Sequence, residues 1–164
     1  MSGSQTIEIF AHDEFDILQI GRVLAKNIKP GCLILLEGTL GAGKSSMVRA
    51  IIRQMLGQNE LEVPSPTFLL VLPYENDRLS ILHADLYRLE HEDEIEELGL
   101  FDDKDAIIFV EWPERAPWLK ENADLIISLK FSPEHEGRIL EINSPDNPQL
   151  LEGLSDLISD RPDL

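Results

Sequence analysis

The chain has 164 residues and a mass of 18.5 kDa, and 43% hydrophobic with 27% charged is a balance that buries a core as one folded domain rather than staying disordered. Against 14 Lys and Arg stand 31 Asp and Glu, a net charge of −17 that argues against unaided wrapping of DNA, RNA or an anionic membrane. The longest apolar runs, such as Cys32 to Leu36 and Ala106 to Val110, are strand-sized and far short of the roughly 18 residues that span a bilayer. No Lys or Arg precedes Arg22 and no apolar segment stands there, so neither a secretory signal nor a transit peptide is visible and the expected address is the cytoplasm. Cys32 is the only cysteine, which excludes an intrachain disulfide and leaves it as a small buried hydrophobe.

In chain order, Ile7 and Ile9 alternate with polar neighbours over Thr6 to Phe10, a short strand, and Asp13 opens a helix carrying Phe15, Leu18, Val23 and Leu24. Pro30 and Gly31 stop it. Cys32 to Glu37 is a continuous apolar run that ends at Gly38, the pattern of a strand buried on both faces of a mainly parallel sheet, and a Gly-rich turn leads into a helix over Lys44 to Leu56. Val63-Pro64-Ser65-Pro66 must be extended, because each proline disfavours the helical region for the residue before it. Thr67 to Leu72 and Leu79 to His83 flank the turn-rich Glu75-Asn76-Asp77 and predict a hairpin. Between 90 and 105 stand nine acids and one Lys, with Ile95, Leu98 and Phe101 as apolar anchors, a short charged helix and loop. Ala106 to Val110 is a second fully apolar strand. Asp124 to Phe131 and Arg138 to Asn143 predict another hairpin, and a helix over Gln149 to Ser159 closes the chain. The whole predicts an α/β, three-layer sandwich with a mixed, mainly parallel central sheet and antiparallel hairpins.

Gly38-Thr39-Leu40-Gly41-Ala42-Gly43-Lys44-Ser45 fits G-x-x-x-x-G-K-[ST] at every position, between a buried strand and a helix, as a phosphate-binding P-loop requires. Gly41 and Gly43 let successive N–H groups turn inward on phosphate oxygens, and the helix presents its positive end to the same anion. Lys44 can bridge the β and γ phosphates, and the Ser45 hydroxyl can reach magnesium. Ile107-Ile108-Phe109-Val110-Glu111 supplies the acid at the end of a neighbouring strand, a Walker-B-like signal. Alternation places His83 and Asp85 on one side of a strand end, so that Asp85 can position water or magnesium, or else cap the following turn. Ser65-Pro66-Thr67 offers two hydroxyls in a restrained loop where nucleotide switches sense a γ-phosphate, or else is a plain proline-rich turn. Trp112 follows Glu111 directly. His12, His91 and His135 read as ordinary surface or loop residues with no metal spacing between them.

Four motifs in order, Leu36 to Ser45, Val63 to Phe68 (V-P-S-P-T-F), His83-Ala84-Asp85-Leu86-Tyr87-Arg88-Leu89 and Val110-Glu111-Trp112-Pro113-Glu114, resemble the bacterial TsaE (YjeE) family over roughly residues 36 to 114, and Gly21 in the first helix fits its opening. The resemblance implies a P-loop NTPase-like fold and an ATPase, dependent on Mg2+, that serves threonylcarbamoyladenosine formation on tRNA. The family implies that it acts with TsaB and TsaD, resets that machinery between rounds, and does not itself transfer the threonylcarbamoyl group. Any tRNA contact is then indirect, through partners that hold the phosphate backbone, and no DNA or membrane partner is expected. By the same resemblance Thr39, Leu40, Gly41, Ala42, Gly43, Lys44, Ser45, Ser46 and Trp112 would form the ATP site. Ser45, Glu111 and Asp85 would be the residues at magnesium, and Asp85, Glu111, Thr67 and Lys44 the catalytic set. The division of water and metal between Asp85 and Glu111 stays open, as does whether Arg88 faces the site or a partner. Where the family usually has Ser or Thr near the start of the first helix, this chain has Ala11-His12-Asp13-Glu14-Phe15-Asp16.

A small-molecule or nucleotide kinase is the main rival, but Arg78, Arg88 and Arg115 form no compact basic lid in the sequence. A GTPase lacks its Asn-Lys-x-Asp guanine reader. A nucleotide-gated binding module with incidental hydrolysis is the non-enzymatic alternative.

Overall fold

The computed structural model describes residues 3–66, 70–134 and 136–159; Thr67 and His135 lie outside these described residues. Seven strands form a single sheet in the order β1-β7-β6-β2-β5-β4-β3. They are β1 (Gln5–Ala11), β2 (Leu33–Glu37), β3 (Val71–Glu75), β4 (Ser80–Asp85), β5 (Ile107–Glu111), β6 (Leu125–Phe131) and β7 (Arg138–Ser144). The four central strands β6, β2, β5 and β4 run parallel, and β7, β1 and β3 add antiparallel to the flanks. The α/β sandwich with a mixed, mainly parallel sheet and two hairpins is the architecture that the residue pattern predicts.

Central strands that lose both faces to water must be apolar throughout. Leu33, Ile34, Leu35 and Leu36 are all at most 4% exposed, and alternation divides them between two cores. Ile34 and Leu36 join Ile107, Phe109 and Ile81 under helices α1 (Glu14–Asn27) and α2 (Lys44–Leu56). Leu33 and Leu35 join Ile108, Val110 and Ala84 on the other face, under the single-turn helix α3 (Glu94–Glu97) and the 3-10 segments Pro113–Arg115 and Pro117–Asn122. The third layer is therefore much thinner than the first.

Helix α1 starts where Asp13 accepts a hydrogen bond from the Asp16 N–H, a side-chain N-cap. It packs on α2 at Gly21, where a methyl group would lie 2.8 Å from the Ala50 Cβ; only glycine permits this approach. Between 90 and 105 the helix shrinks to four residues, because Glu94, Glu96 and Glu97 repel one another with no cation at helical spacing. Leu100 is buried there, while Phe101, expected as an anchor, is 45% exposed and stands 6.1 Å from the Trp118 ring.

The first hairpin is present: Val71 to Glu75 stand opposite Ala84 to Ser80, while residues 67–69, where the expected first strand begins, lie outside the described residues. Pro73 sits in this strand because β3 is an edge, where its missing N–H costs no ladder bond. The closing helix is also shorter: Pro148–Leu151 is a 3-10 turn capped by the Asn147 side chain, and α4 covers Leu154–Ser159. Among the described residues no helix is long and apolar enough to cross a membrane.

Candidate active site

Parallel strands bring β2, β5 and β4 to one edge with their C-terminal ends side by side, the place where open α/β sheets bind ligands. A cavity of about 720 Å³ opens there. One end is formed by Gly41 to Ser46, Ser65, Asp85, Tyr87, Glu111 and Trp112, and the other by Ala11 to Glu14 and Ile17 together with Phe131, Ser132 and Glu136 to Arg138.

The Gly38 to Ser45 loop turns because Gly41 (φ 80°) and Gly43 (φ 108°) take left-handed backbone, with Gly43 immediately preceding α2. Lys44 is only 5% exposed. Its Nζ donates to the carbonyl oxygens of Gly38 at 2.6 Å and Thr39 at 3.0 Å, and lies 4.2 Å from the centre of the Trp112 ring. Burial lowers its pKa, an effect opposed by the carboxylates of Glu111, Glu114 and Asp85. Trp112 has left-handed backbone (φ 58°) at the end of β5 and a half-buried ring, 4.8 Å from that of Tyr87. It lines the cavity and also packs against the core on the second face of the sheet.

Glu111 ends β5 and Asp85 ends β4, and the two are register partners. Both are buried, at 2% and 3% exposure. The Ser45 hydroxyl donates to the Glu111 carboxylate, 2.9 Å from Oε1 and 3.2 Å from Oε2. Asp85 accepts from the Tyr87 N–H at 2.8 Å and from the Ser65 hydroxyl at 3.3 Å. Burial, reinforced by the Glu111 charge, raises the Asp85 pKa, while the Tyr87 and Ser65 hydrogen bonds and the His83 ring oppose the rise. Its turn-capping and site-lining roles are not alternatives, since one side chain does both.

Leu40, Gly41, Ala42, Gly43, Lys44, Ser45, Ser46, Asp85, Glu111 and Trp112 all line the cavity. Thr39 does not; it borders a second cleft of about 710 Å³ on the far side of the loop, with Glu114, Arg115 and Lys130. Arg88 is exposed and absent from the lining, and Tyr87 takes that place.

Three further residues stand at the site with no role assigned to them from sequence. His12 is an exposed histidine, as expected, and also lines the cavity, its ring 4.7 Å from that of Phe10 and its Nδ1 3.1 Å from Asp16. Arg138 reaches the P-loop from β7, donating from Nε to the Ala42 carbonyl at 3.0 Å and stacking 4.1 Å above the Phe131 ring. His83 is fully buried, with Nε2 2.5 Å from Oε2 of Glu111. Its position two residues before Asp85 carried a signal; nothing in the sequence pointed to Arg138.

A family model described as Threonylcarbamoyl adenosine biosynthesis protein TsaE matches residues 11–139. The chain belongs to the TsaE family. The tRNA threonylcarbamoyladenosine biosynthesis protein TsaE of Aquifex aeolicus is 33% identical over 132 residues, which cover 80% of this chain and 92% of that protein. The protein of the same description from Rickettsia bellii is 35% identical over 132 residues, 80% of this chain and 89% of its own length. The crystal structure of Bacillus subtilis YdiB superposes with a TM-score of 0.70 at 24% identity, over 96% of this chain and 99% of that one, a likeness of fold. The TsaE match runs past the four motifs on which the resemblance rests and through the β6–β7 hairpin to Ile139, taking in Arg138.

Proposed function

We propose that this TsaE-family chain binds ATP with magnesium and hydrolyses it, acting with TsaB and TsaD to reset the tRNA threonylcarbamoyladenosine machinery between rounds without itself transferring the threonylcarbamoyl group. The observation that carries the reading is the convergence of Lys44, Ser45, Glu111 and Asp85 at the mouth of one P-loop. A lysine beside a turn of inward N–H groups suits a polyphosphate. A hydroxyl and a carboxylate already in contact suit magnesium, a hard cation that takes one or two protein oxygens and completes its shell with phosphate and water. Ser45 and Glu111 would hold that ion, which supplies charge neutralisation at the phosphates. Asp85, with its affinity for protons increased by burial, is suited to orient water and accept its proton.

Two features support dependence on partners. Arg138 donates to the loop carbonyls of Ala42 and Gly41 and stacks on Phe131, which leaves it poorly disposed to act as a finger on a transferred phosphoryl group. P-loop enzymes without such a charge run ~10³ to 10⁵-fold below their stimulated rate. The net charge of −17 further favours tRNA being held by other proteins.

The test is ATP hydrolysis by the purified chain, alone and with TsaB, TsaD and tRNA from the same organism, with Lys44→Ala as control. Low turnover that rises only with the partners is the expected result. Fast turnover without them would overturn the partner dependence, and phosphate transfer to a small acceptor in their absence would replace the reading by a kinase.

A further inference from the structure

We propose that His83 is a positioning residue for the metal end of the site, fixing the Glu111 carboxylate so that its oxygens face Ser45. The inference rests on the reading that Ser45 and Glu111 hold magnesium.

Three observations carry it. Glu111 and His83 are both buried, on adjacent parallel strands, and the side chains meet diagonally: His83 pairs in register with Phe109, two residues before Glu111. At 2.5 Å Nε2 of His83 and Oε2 of Glu111 are within hydrogen-bond distance, and in the tautomer with its proton on Nε2 the ring donates to the carboxylate. Ser45 donates to the same carboxylate, nearer to Oε1, while His83 meets Oε2, so that Glu111 is held by both a β4 imidazole and the first residues of α2. Left to rotate about its terminal torsion, which has a broad and shallow preference, the carboxylate would sample orientations that Ser45 alone does not exclude.

The third observation is the other ring nitrogen. His83 Nδ1 is buried with no hydrogen-bond partner among the described residues. A histidine kept only for packing would be served better by a leucine of similar volume, which leaves no polar atom desolvated. The fold tolerates one orphaned nitrogen in order to aim the other at Glu111. Such an outer contact sets the direction and basicity of the group that meets a cation.

The test measures affinity of the full chain for a non-hydrolysable ATP analogue in EDTA and across a MgCl2 series, so that the half-effective magnesium concentration is read without turnover. His83→Leu is expected to raise that concentration about 10 to 100-fold, with metal-free affinity unchanged. His83→Gln, whose amide nitrogen reaches the place of Nε2, is expected to recover most of the loss, and His83→Asn, whose donor stops short, is not. A folded His83→Leu protein with wild-type magnesium dependence would overturn the proposal; if that variant fails to fold, equal magnesium dependence in the Gln and Asn variants does so. Glu111→Gln runs in parallel. If it and the wild type respond alike to magnesium, the metal role of Glu111 falls and His83 with it; if they differ while His83→Leu follows the wild type, only the positioning role falls.

Discussion

The two ends of the cavity are built in opposite ways. At one end, eight consecutive residues from Gly38 to Ser45 supply the loop, and Glu111 and Asp85 arrive as the last residues of neighbouring strands. At the far end, the β1–α1 junction with His12 and Asp13 meets the β6–β7 hairpin with Phe131 and Arg138. Pairing of Ala11 with Arg138 is what brings those segments together across nearly the whole chain. At the first end Glu111 and Asp85 are fixed by the buried parallel strands that they close. The second depends on a flanking antiparallel pair, with Phe131 half-exposed. Chemistry is expected to concentrate at the strand-end side and discrimination at the assembled one.

Substitutions test that division, and the largest effect is expected from Asp85→Asn. On the proposed reading, in which Asp85 is the general base, turnover with the partners should fall by ~10² to 10⁴-fold, and equilibrium titration should find nucleotide affinity almost unaltered. The same variant should be more stable than the wild type. Burial raises the folded-state pKa of Asp85 above its ordinary value of 3.8, so the native state binds more protons than the unfolded one in the window above that value. Stability contributed by this group is therefore greatest below pH 3.8 and falls as pH rises through the folded pKa. Thermal unfolding of the two proteins across pH should show a positive difference at pH 7 that shrinks on acidification. A variant less stable than wild type at pH 7 contradicts the assigned cost of burying the charge.

Lys44→Ala comes next. Removing a charge-assisted contact of ~1.5 to 3 kcal/mol weakens ATP binding by about 10 to 100-fold. The unfolding temperature should hold, because the Gly38 and Thr39 carbonyls it releases belong to a loop at the cavity mouth. Calorimetric titration showing unchanged affinity would move the phosphate site elsewhere.

At the assembled end, Arg138→Ala removes a stacking contact and a bond to the P-loop, and ~1 to 2 kcal/mol predicts a loss of about 5 to 30-fold in affinity. If the two ends are independent, the Arg138 and Lys44 variants combine additively in a double-mutant cycle; a coupling energy above ~0.5 kcal/mol shows that Arg138 acts through the loop. The smallest effect is expected from Asp13→Ala, which deletes the α1 cap at a cost of ~1 kcal/mol. Differential scanning calorimetry should record a drop of ~2 to 4 °C in a domain of this size, with turnover little changed.

Sequence alone determined the elements whose signal is local. The run Leu33 to Leu36 had to be buried on both faces, Asp13 had to cap, and the Gly38 to Ser45 spacing announced the phosphate loop because turn, charge and hydroxyl lie within one stretch of backbone. Glu111 and Asp85 were readable for a related reason: a strand of known polarity says where its last residue goes. What the tertiary structure decided is which distant groups meet. Burial of Lys44, the turn of Trp112 into the cavity wall, the contact of His83 with Glu111 and the arrival of His12 and Arg138 all depend on strand order and register. These follow from how seven strands sort into β1-β7-β6-β2-β5-β4-β3, an ordering fixed by packing both faces at once, and no window of consecutive residues contains that information.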